Sequence, residues 1–306
     1  MTHWTVIVNP AAGRGRTRRL LPKLSAAFDA ARADTRIHLS TSRDDGIDAA
    51  REAFARGDAV VACGGDGTVS ELAAVAVEHH GLLGIVPTGS GNDFARTLGF
   101  DHRNPLSAID VLTTGRDAVV DLGRAATPEQ TVLFCAVAST GFDAEANRWA
   151  NQRRHLHGTP LYVAAMLRTL STYSPLTFTL RVDDAESVEH RAWLLAFGNS
   201  ESYGGGMRVT PNARVDDGLL DATIVGPVSR GEFVRTFPKV FKGTHLSHAQ
   251  ISTYRARQFT VDAPDAPVPV ELYASGERVG RLPATIDVLA QALTVRVPAD
   301  SHVPSA

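Results

Sequence analysis

Three glycine-rich segments constrain the fold of this chain, because each of them follows a short apolar run typical of a β-strand. The segments span residues 9–16, 64–68 and 87–93. Apolar runs that alternate with helical periodicity indicate βαβ units around a parallel sheet. In an open sheet of this kind the strand ends line one crevice. The pattern therefore predicts an α/β domain in which three turns meet at one edge.

The pattern of apolar runs and turn-forming residues changes after residue 122, which predicts two domains. Residues 1–122 carry the alternating pattern, with candidate strands at Trp4–Val8, Arg36–Ser40, Ala59–Ala62 and Leu82–Val86. Residues 123–288 are rich in β-type runs between turn clusters, which predicts a mostly antiparallel domain. We expect residues 289–306 to complete the first domain and the polar tail, residues 299–306, to be frayed.

Composition excludes several function classes. The 31 lysines and arginines are balanced by 33 aspartates and glutamates, so no broad basic field attracts nucleic acid. Cys63 and Cys135 lie in apolar runs and are expected to be buried thiols in a reducing compartment. We also expect no secretory leader and no membrane-spanning run, hence a cytoplasmic protein that contacts a membrane only from outside, at its inner face.

The three turns suit a polyphosphate. Glycines let backbone N–H groups approach phosphate oxygens, and the helices that follow direct their positive dipole ends there. Any single turn of this kind is more often an ordinary strand-to-helix connection, but three at one edge favour a phosphate site. Arg14 can pair with phosphate, whereas Arg16, Arg18 and Arg19 fit a solvated helix face.

Asp66 and Asp93 would place carboxylates beside those phosphates. Because uncompensated negative charge is unfavourable there, we expect Mg²⁺, held by few carboxylates together with waters and phosphates. Asp66 could alternatively orient or deprotonate an attacking hydroxyl. Thr68 with Glu71 also fits a helix capping box, so part of the second turn can be explained by helix initiation alone.

These turns, with Gly198-Asn199, Gly204-Gly205-Gly206 and the run 216–221, resemble the diacylglycerol kinase catalytic-domain family. That family includes bacterial lipid kinases and sphingosine kinases, and the resemblance extends over most of the chain. It implies a Rossmann-like first domain, shared with NAD kinases, and a β-sandwich-like second domain that receives lipid. It also implies transfer of phosphate from ATP, bound between the domains, to a lipid hydroxyl, with diacylglycerol giving phosphatidic acid as the default. A homodimer is compatible with it.

The resemblance also implies site residues. The catalytic candidates are Asp66, Asp93, Ser275 and Glu277, and the metal candidates are Asp66 and Asp217. The residues expected to contact the nucleotide lie in the three turns and at one further threonine: Asn9, Pro10, Ala11, Ala12, Gly13, Arg14, Thr41, Gly64, Gly65, Asp66, Gly67, Thr68, Glu71, Gly89, Ser90 and Asn92.

The sequence departs from the family pattern at Ser275, where the family typically has an aspartate that accepts a proton. Because a serine hydroxyl is a much poorer base than a carboxylate, the chain could lack general-base assistance worth about 10² to 10⁴ in rate. Glu277, two residues on and potentially on the same strand face, or Asp66 could substitute. Alternatively, Ser275-Gly276 is simply a hairpin turn.

A second departure is Arg214, where some bacterial members have an aspartate that helps to bind a structural Mg²⁺ together with the aspartate before Gly218. A cation at this position repels such an ion. Asp217 is thus a metal candidate that could instead only shape the turn.

Two other functions are compatible with the sequence. An NAD kinase would share the Gly-Gly-Asp-Gly motif, but the Asn9-Pro10 turn and the run 216–221 argue against it. With Ser275 in the base position, the chain could also be a nucleotide-responsive lipid-binding protein of low activity.

A membrane contact is the last sequence prediction. Residues 160–173 are spaced like an amphipathic helix and follow a basic stretch that also contains an aromatic residue. That stretch comprises Arg148, Trp149, Arg153, Arg154, His155 and His157. Basic and aromatic residues together suggest that this stretch contacts an anionic membrane surface, although a solvated helix flank is the commoner explanation for such residues.

Overall fold

The computed structural model describes residues 2–31, 33–151 and 168–305. The helices are α1 Ala12–Ala30, α2 Arg43–Ala55, α3 Asp66–His79, α4 Asp93–Thr97, α5 Ser107–Thr114, α6 Phe142–Asn151 and α7 Arg230–Thr236. Two 3-10 helices follow at Phe237–Lys242 and Thr244–Ser247, and residues 168–172 are helical. Most of the predicted helix 160–173 and of the basic stretch before it lies outside the described residues.

The strands occur in two groups along the chain. The first are β1 Trp4–Val8, β2 Thr35–Leu39, β3 Ala59–Gly64 and β4 Leu82–Pro87. The others are β5 Arg116–Ala126, β6 Thr131–Phe134, β7 Val137–Gly141, β8 Leu176–Val182, β9 Val188–Ala192, β10 Leu194–Gly198, β11 Leu220–Val225, β12 Ile251–Ala256, β13 Gln258–Asp262, β14 Glu271–Ala274, β15 Glu277–Arg281 and β16 Ala284–Val297.

The chain forms two compact units. The first comprises Met1–Leu122, Val215–Gly218 and Leu289–Ala306, and the second comprises Gly123–Arg214 and Leu219–Val288. Strands β5 and β16 each run from one unit into the other. The short loop Val215–Gly218, which the sequence places in the middle of the β-rich region, belongs to the first unit.

The first unit is built on a parallel sheet. Its strand order is β2-β1-β3-β4, followed by the carboxyl-terminal part of β16, which pairs in parallel with β4 through Thr294 and Leu82. Every residue of β1 and β3 is buried, as expected for central parallel strands covered on both faces. Leu24 and Phe28 of α1 and Leu72 of α3 are buried as well, so these helices cover the sheet with apolar side chains.

The second unit is a sandwich of antiparallel strands. One sheet has the order β12-β11-β10-β7-β14-β15, and the other contains β16-β13-β8-β9. The hydrophobic core between them draws on both sheets, and the rings of Phe197 in β10 and Phe259 in β13 lie 5.2 Å apart. The predicted fold class, a parallel α/β domain with a mostly antiparallel sandwich, is confirmed.

A second hydrophobic cluster covers the other face of the β7-β10 sheet. It contains Phe142 of α6, Leu194 of β10 and Phe233 of α7, with Trp193 and Val209. As a result, all residues of β7 and β10 are buried. These two strands therefore separate two apolar layers within the second unit.

The carboxyl-terminal tail is ordered, contrary to the frayed tail expected from its polar composition. Val303 is 1% exposed, and the Arg116 guanidinium donates to the carbonyl oxygens of Ser301 and Val303. The Ser301 hydroxyl also donates to the Leu98 carbonyl at 2.7 Å. Sequence polarity did not reveal this docking because its donors come from residues 185 or more positions away along the chain.

Two further expectations concern the cysteines and the membrane. Cys63 and Cys135 are both buried and unbridged, and burial raises the pKa of the Cys63 thiol to about 12. Cys63 is thus an inert core thiol.

Among the described residues, no helix combines the length and the apolarity that crossing a bilayer requires.

Candidate active site

The three glycine-rich turns leave the sheet of the first unit at neighbouring strands. Asn9 follows β1, Gly65 follows β3 and Thr88 follows β4, and these strands are adjacent in the order β1-β3-β4. Because the strands are parallel, their carboxyl ends lie at one edge. The structure therefore brings the three predicted turns together, as the sequence indicated.

Asn9 connects the first turn to the second. Its side-chain oxygen accepts from the Ala11 backbone amide at 3.0 Å, which closes the turn after Pro10. Its side-chain amide donates to the Thr68 hydroxyl at 3.0 Å, and its backbone amide donates to the Cys63 carbonyl. One asparagine side chain therefore both accepts and donates at this turn.

The first turn has a left-handed backbone just before the regular part of α1. Gly13, Arg14 and Gly15 have φ values of 57°, 59° and 75°, so α1 is kinked at its start. A Cβ on Gly13 would lie 2.3 Å from the Thr88 carbonyl oxygen, which shows how closely the first turn packs on the third. Arg14 is exposed and makes no ion pair with a carboxylate in the described part of the chain, so its guanidinium is available to an anion.

The second and third turns are in direct backbone contact. A Cβ on Gly89 would lie 2.4 Å from the Gly65 Cα atom, which leaves no room for any side chain. The backbone amides of Thr88 and Gly89 both donate to the Gly64 carbonyl, at 2.9 and 3.1 Å. The Thr17 hydroxyl of α1 donates to the buried Thr88 hydroxyl at 2.6 Å and joins the first turn to this pair. The three turns thus form one interlocked unit.

Asp66, the first residue of α3, holds the third turn. One carboxylate oxygen accepts from the Asn92 backbone amide at 2.8 Å and the other accepts from the Asp93 backbone amide at 2.7 Å. Asn92 itself is left-handed, with φ of 53°, and its side-chain amide donates to the Gly89 carbonyl at 3.0 Å. Asp66 therefore satisfies the first amides of the short helix α4 in the way a capping carboxylate does.

Asp66 and Asp93 form a close acidic pair. Burial raises the pKa of Asp66, the negative charge of Asp93 raises it further, and hydrogen bonds from the backbone amides of Asp93, Asn92 and Phe94 act in the opposite direction. Asp93 is 2% exposed, and the Arg96 guanidinium lies 4.0 Å from it. A cation placed beside this pair would offset both the desolvation and the mutual repulsion of the carboxylates.

The donor set fits Mg²⁺ accompanied by phosphates better than a dedicated protein cage. Within residues 2–31, 33–151 and 168–305, no three His, Cys, Asp or Glu side chains converge into a metal site. Mg²⁺ that carries a nucleotide needs only one or two carboxylates, because waters and phosphates complete its octahedron. The pair Asp66 and Asp93 meets that requirement.

The capping box proposed for Thr68 and Glu71 is not formed. Helix α3 begins at Asp66 with Gly65 as its N-cap, and no side chain caps it, so Thr68 lies within the first turn. Thr68 is nearly buried and receives the Asn9 amide. Glu71 pairs with the Arg43 guanidinium of α2 at 2.8 Å. Its position is thus explained by contact between α2 and α3.

Thr41 lies one strand further out at the same edge, after β2. Its backbone amide and its hydroxyl both donate to one oxygen of Asp45, at 2.6 and 2.9 Å. These bonds from Thr41 are the main reason that the pKa of Asp45 is lowered. The contacts explain Thr41 as part of the start of α2, and a nucleotide contact for it stays a prediction.

Asp121 is a buried carboxylate that sequence reasoning missed. It is 1% exposed, and its two oxygens accept from the Gly218 and Gln291 backbone amides, each at 2.7 Å. Its own amide donates to the Val215 carbonyl. Asp121 thus fixes the loop that carries Asp217, whose metal role stays a prediction. The available signal was an aspartate inside an apolar strand, because charged residues are rarely buried without partners.

Ser275 lies in the second unit at the tip of the β14–β15 hairpin. Ser275 and Gly276 have φ values of 50° and 82°, which is the left-handed pair of a two-residue hairpin turn. The Ser275 backbone amide donates to the Val137 carbonyl at 3.2 Å. The hairpin alternative raised from the sequence therefore describes the local backbone correctly.

Glu277 does not share a strand face with position 275. Ser275 belongs to the turn, so the two-residue alternation of a strand does not reach it, and Glu277 is the exposed first residue of β15 opposite Ala274. This part of the sequence argument is wrong because a left-handed turn reorients the side chain. Glu277 as a substitute base stays a prediction without that geometric support.

An apolar cavity of 70 Å³ lies inside the second unit, against the outer hydrophobic cluster. It is lined by residues of strands β10, β11 and β12, of helices α6 and α7 and of the two 3-10 helices. Asp143 is the one carboxylate among the described residues that line it; Asp143 is 1% exposed and accepts from the Ser139 hydroxyl at 2.7 Å. The lining comprises Phe142, Asp143, Leu194, Tyr203, Met207, Val209, Val225, Val228, Phe233, Thr236, Phe237, Val240, His245, His248 and Ile251.

Comparisons with known proteins define the class. Residues 3–125 match the diacylglycerol kinase catalytic domain, and residues 136–297 match the YegS C-terminal NAD kinase beta sandwich-like domain. A diacylglycerol kinase of Mycobacterium tuberculosis is 37% identical over 96% of this chain and 94% of its own length. The chain therefore belongs to the diacylglycerol kinase catalytic-domain family and is a lipid kinase.

Solved structures agree with this assignment. A candidate diacylglycerol kinase from Bacillus anthracis strain Sterne superposes with a TM-score of 0.78 at 26% identity, over 96% of this chain and 95% of that one. An NAD kinase from Archaeoglobus fulgidus, solved in complex with ATP, reaches a TM-score of 0.52 at 14% identity over 96% of this chain and 93% of that one. The second likeness shows a shared fold alone.

Substituting Gly89 with alanine should separate the second and third turns. The new Cβ would meet the Gly65 backbone, which cannot rotate away, so we expect about 1–3 kcal/mol of destabilisation together with loss of kinase activity. Urea denaturation and a phosphorylation assay measure the two effects. The control is Gly231→Ala, where a Cβ meets nothing within 4 Å. Equal stability of the two variants would contradict the interlocked geometry.

Ser275→Asp should raise lipid phosphorylation, by about tenfold or more, if this position holds the family's proton acceptor. Aspartate tolerates the left-handed backbone found there, so the hairpin should be retained. Ser275→Asn is the matched control, because asparagine tolerates the same backbone but is no base. Steady-state turnover checks the prediction. Unchanged or lower turnover in the aspartate variant would reject the alignment of Ser275 with that acceptor.

Proposed function

We propose that this lipid kinase transfers the γ-phosphoryl group of ATP to the free hydroxyl of diacylglycerol, giving phosphatidic acid and ADP. The observation that carries the proposal is the apolar cavity within the second unit. The name of the Mycobacterium tuberculosis relative supports the choice of diacylglycerol as substrate. The reaction forms one bond from the lipid oxygen to the γ-phosphorus and breaks the bond between that phosphorus and the leaving ADP oxygen.

The lining of the cavity favours a hydrocarbon. Most of its residues are aliphatic or aromatic, and Phe142, Phe233 and Phe237 lie along it. An acyl chain gains free energy in such surroundings because apolar surface leaves water. The nicotinamide and ribose groups of NAD would instead lose hydrogen bonds to water there. The cavity therefore supports a lipid acceptor over NAD, the alternative that shares the fold.

The interlocked turns of the first unit are our candidate nucleotide site. Arg14 is exposed beside a left-handed turn, and Ser90 is exposed in the third turn, so both can reach phosphate oxygens. Asn9, Thr68 and Gly65 shape the site without needing to contact the nucleotide themselves. Pairing of the Arg14 guanidinium with phosphate would be charge-assisted and therefore stronger than a neutral hydrogen bond.

Asp66 and Asp93 are our candidates to hold Mg²⁺ together with the phosphates. When bound, the ion would neutralise charge that develops on the transferred group. Both Asp66 oxygens already accept backbone amides, so Asp66 also fixes the third turn beside the phosphates. A carboxyl group with a raised pKa is also suited to take up the proton that the lipid hydroxyl loses. Asp66 is thus our candidate proton acceptor in a chain that has Ser275.

Labelled ATP with a mixed lipid extract, and separately with NAD, tests the acceptor. We expect label in phosphatidic acid and none in NADP. Asp66→Asn should lower turnover by about 100-fold or more, because asparagine offers one acceptor oxygen to two backbone amides and cannot take up a proton at neutral pH. Circular dichroism of this variant checks that it is folded. Label in NADP, or ATP bound without any lipid product, would overturn the proposal.

Filling the cavity tests where the acyl chain binds. Val225→Phe places a larger side chain in the lining, so we expect kcat/KM for a long-chain diacylglycerol to fall about tenfold or more, with the KM for ATP unchanged. Val188→Phe is the matched control, since Val188 is 52% exposed on β9. An equal loss in both variants, or no loss at Val225, would place the acyl chain elsewhere.

A further inference from the structure

We propose that residues 230–243, here called the cover segment, form a docking surface for a bilayer that contains anionic lipid. The segment comprises α7, the 3-10 helix Phe237–Lys242 and the following Gly243. Four of its residues, Phe233, Thr236, Phe237 and Val240, line the apolar cavity. The inference rests on the proposed function, because a lipid acceptor has to enter that cavity from a membrane.

The outer side of the cover segment exposes large apolar side chains. Val234 is 49% exposed and Phe241 is 50% exposed. Isolated exposed apolar residues are common on protein surfaces. These two lie on consecutive short helices, seven positions apart, and directly adjoin the residues that line the cavity. An apolar pair at this position can insert into the boundary between headgroups and acyl chains.

The cover segment is also strongly basic. Arg230, Arg235, Lys239 and Lys242 are all exposed, and none forms an ion pair with a carboxylate in the described part of the chain. The segment's one acidic residue, Glu232, is paired with His248 at 3.1 Å. Four cations and one anion give the segment a formal charge of +3, in a chain whose net charge is −2. Anionic headgroups attract basic residues placed this way.

A row of aromatic rings connects this surface to the interior. The ring centroids are 4.9 Å apart for Phe142 and Phe233, 6.5 Å for Phe233 and Phe237, and 6.1 Å for Phe237 and Phe241. Phe142 is fully buried, whereas Phe241 is half exposed. The row therefore runs from the cavity wall to the surface and offers an acyl chain continuous apolar contact between bilayer and cavity.

A second copy of the chain is the weaker candidate for this surface. A two-fold interface would place the same +3 segment on both partners, and like charges repel across an interface of that kind. An anionic bilayer satisfies the cations and the apolar side chains together. The occupant to which the observations point is therefore a lipid surface.

Vesicle co-sedimentation of the full chain tests the proposal. The vesicles are phosphatidylglycerol mixed with phosphatidylcholine, and phosphatidylcholine alone for comparison. Combining Arg235→Gln, Lys239→Gln and Lys242→Gln should weaken partitioning to the anionic vesicles by about 100-fold. Val234→Ser with Phe241→Ser should weaken it about tenfold. Binding by the unaltered chain should also fall as salt is added.

Matched controls use exposed residues elsewhere on the second unit. Arg181→Gln, Arg191→Gln and Arg257→Gln remove three exposed cations, and Val188→Ser with Val268→Ser removes two exposed apolar side chains. Both control variants should bind vesicles like the unaltered chain. Equal loss in a control, or unchanged binding after substitution of the cover segment, overturns the proposal. So does a shift from dimer to monomer in light scattering of the Val234→Ser, Phe241→Ser variant without vesicles.

Phosphorylation of dioctanoylglycerol in detergent micelles keeps the two proposals distinguishable. The Arg235→Gln, Lys239→Gln, Lys242→Gln variant should retain near-normal activity there, because no bilayer has to be contacted and none of the three residues lines the cavity, while its activity on vesicle-embedded diacylglycerol falls. If the unaltered chain phosphorylates no diacylglycerol in micelles, the proposed function fails. Vesicle partitioning then still decides the docking surface by itself.

Discussion

The backbone contact between Gly65 and Gly89 is the constraint on which the candidate active site depends. Because Gly89 has no side chain, the turns after β3 and β4 approach so closely that a Cβ on Gly89 would lie 2.4 Å from the Gly65 Cα atom. Asp66 can then accept the Asn92 and Asp93 amides, and that places two carboxylates together. The raised pKa of Asp66 is a consequence of the same packing. The close approach of the two turns and the raised pKa of Asp66 therefore have the same cause.

In the second unit, the main constraint is that one sheet has to be covered on both of its faces. Its β7-β10 sheet is buried on both faces, so one layer of side chains forms the sandwich core while the other meets helices α6 and α7. The second layer is imperfectly filled and leaves the apolar cavity. The first layer forms the sandwich core, and the second contains the cavity that we propose accepts a hydrocarbon chain.

Sequence reasoning succeeded where the signal was local. Glycine turns after apolar runs predicted both the parallel sheet and the edge at which the turns meet, since strand ends in such a sheet must coincide. It failed where a partner was distant. The capping box that Thr68 and Glu71 fit in the sequence is not formed, since Glu71 pairs with Arg43 on α2, and Asp121 was overlooked because its amide partners lie about 100 or more residues away.

By itself, the sequence determined the fold class, the position of the three turns and the family, because these depend on periodicity and on residue types that few backbones tolerate. Only the tertiary structure decided what each polar group contacts. It made Asp66 the acceptor of two amides, gave Ser275 a left-handed turn, and set Phe241 at the end of an aromatic row. The physical reason is that hydrogen bonds and cavities form between segments that are far apart in the chain, where spacing carries no information.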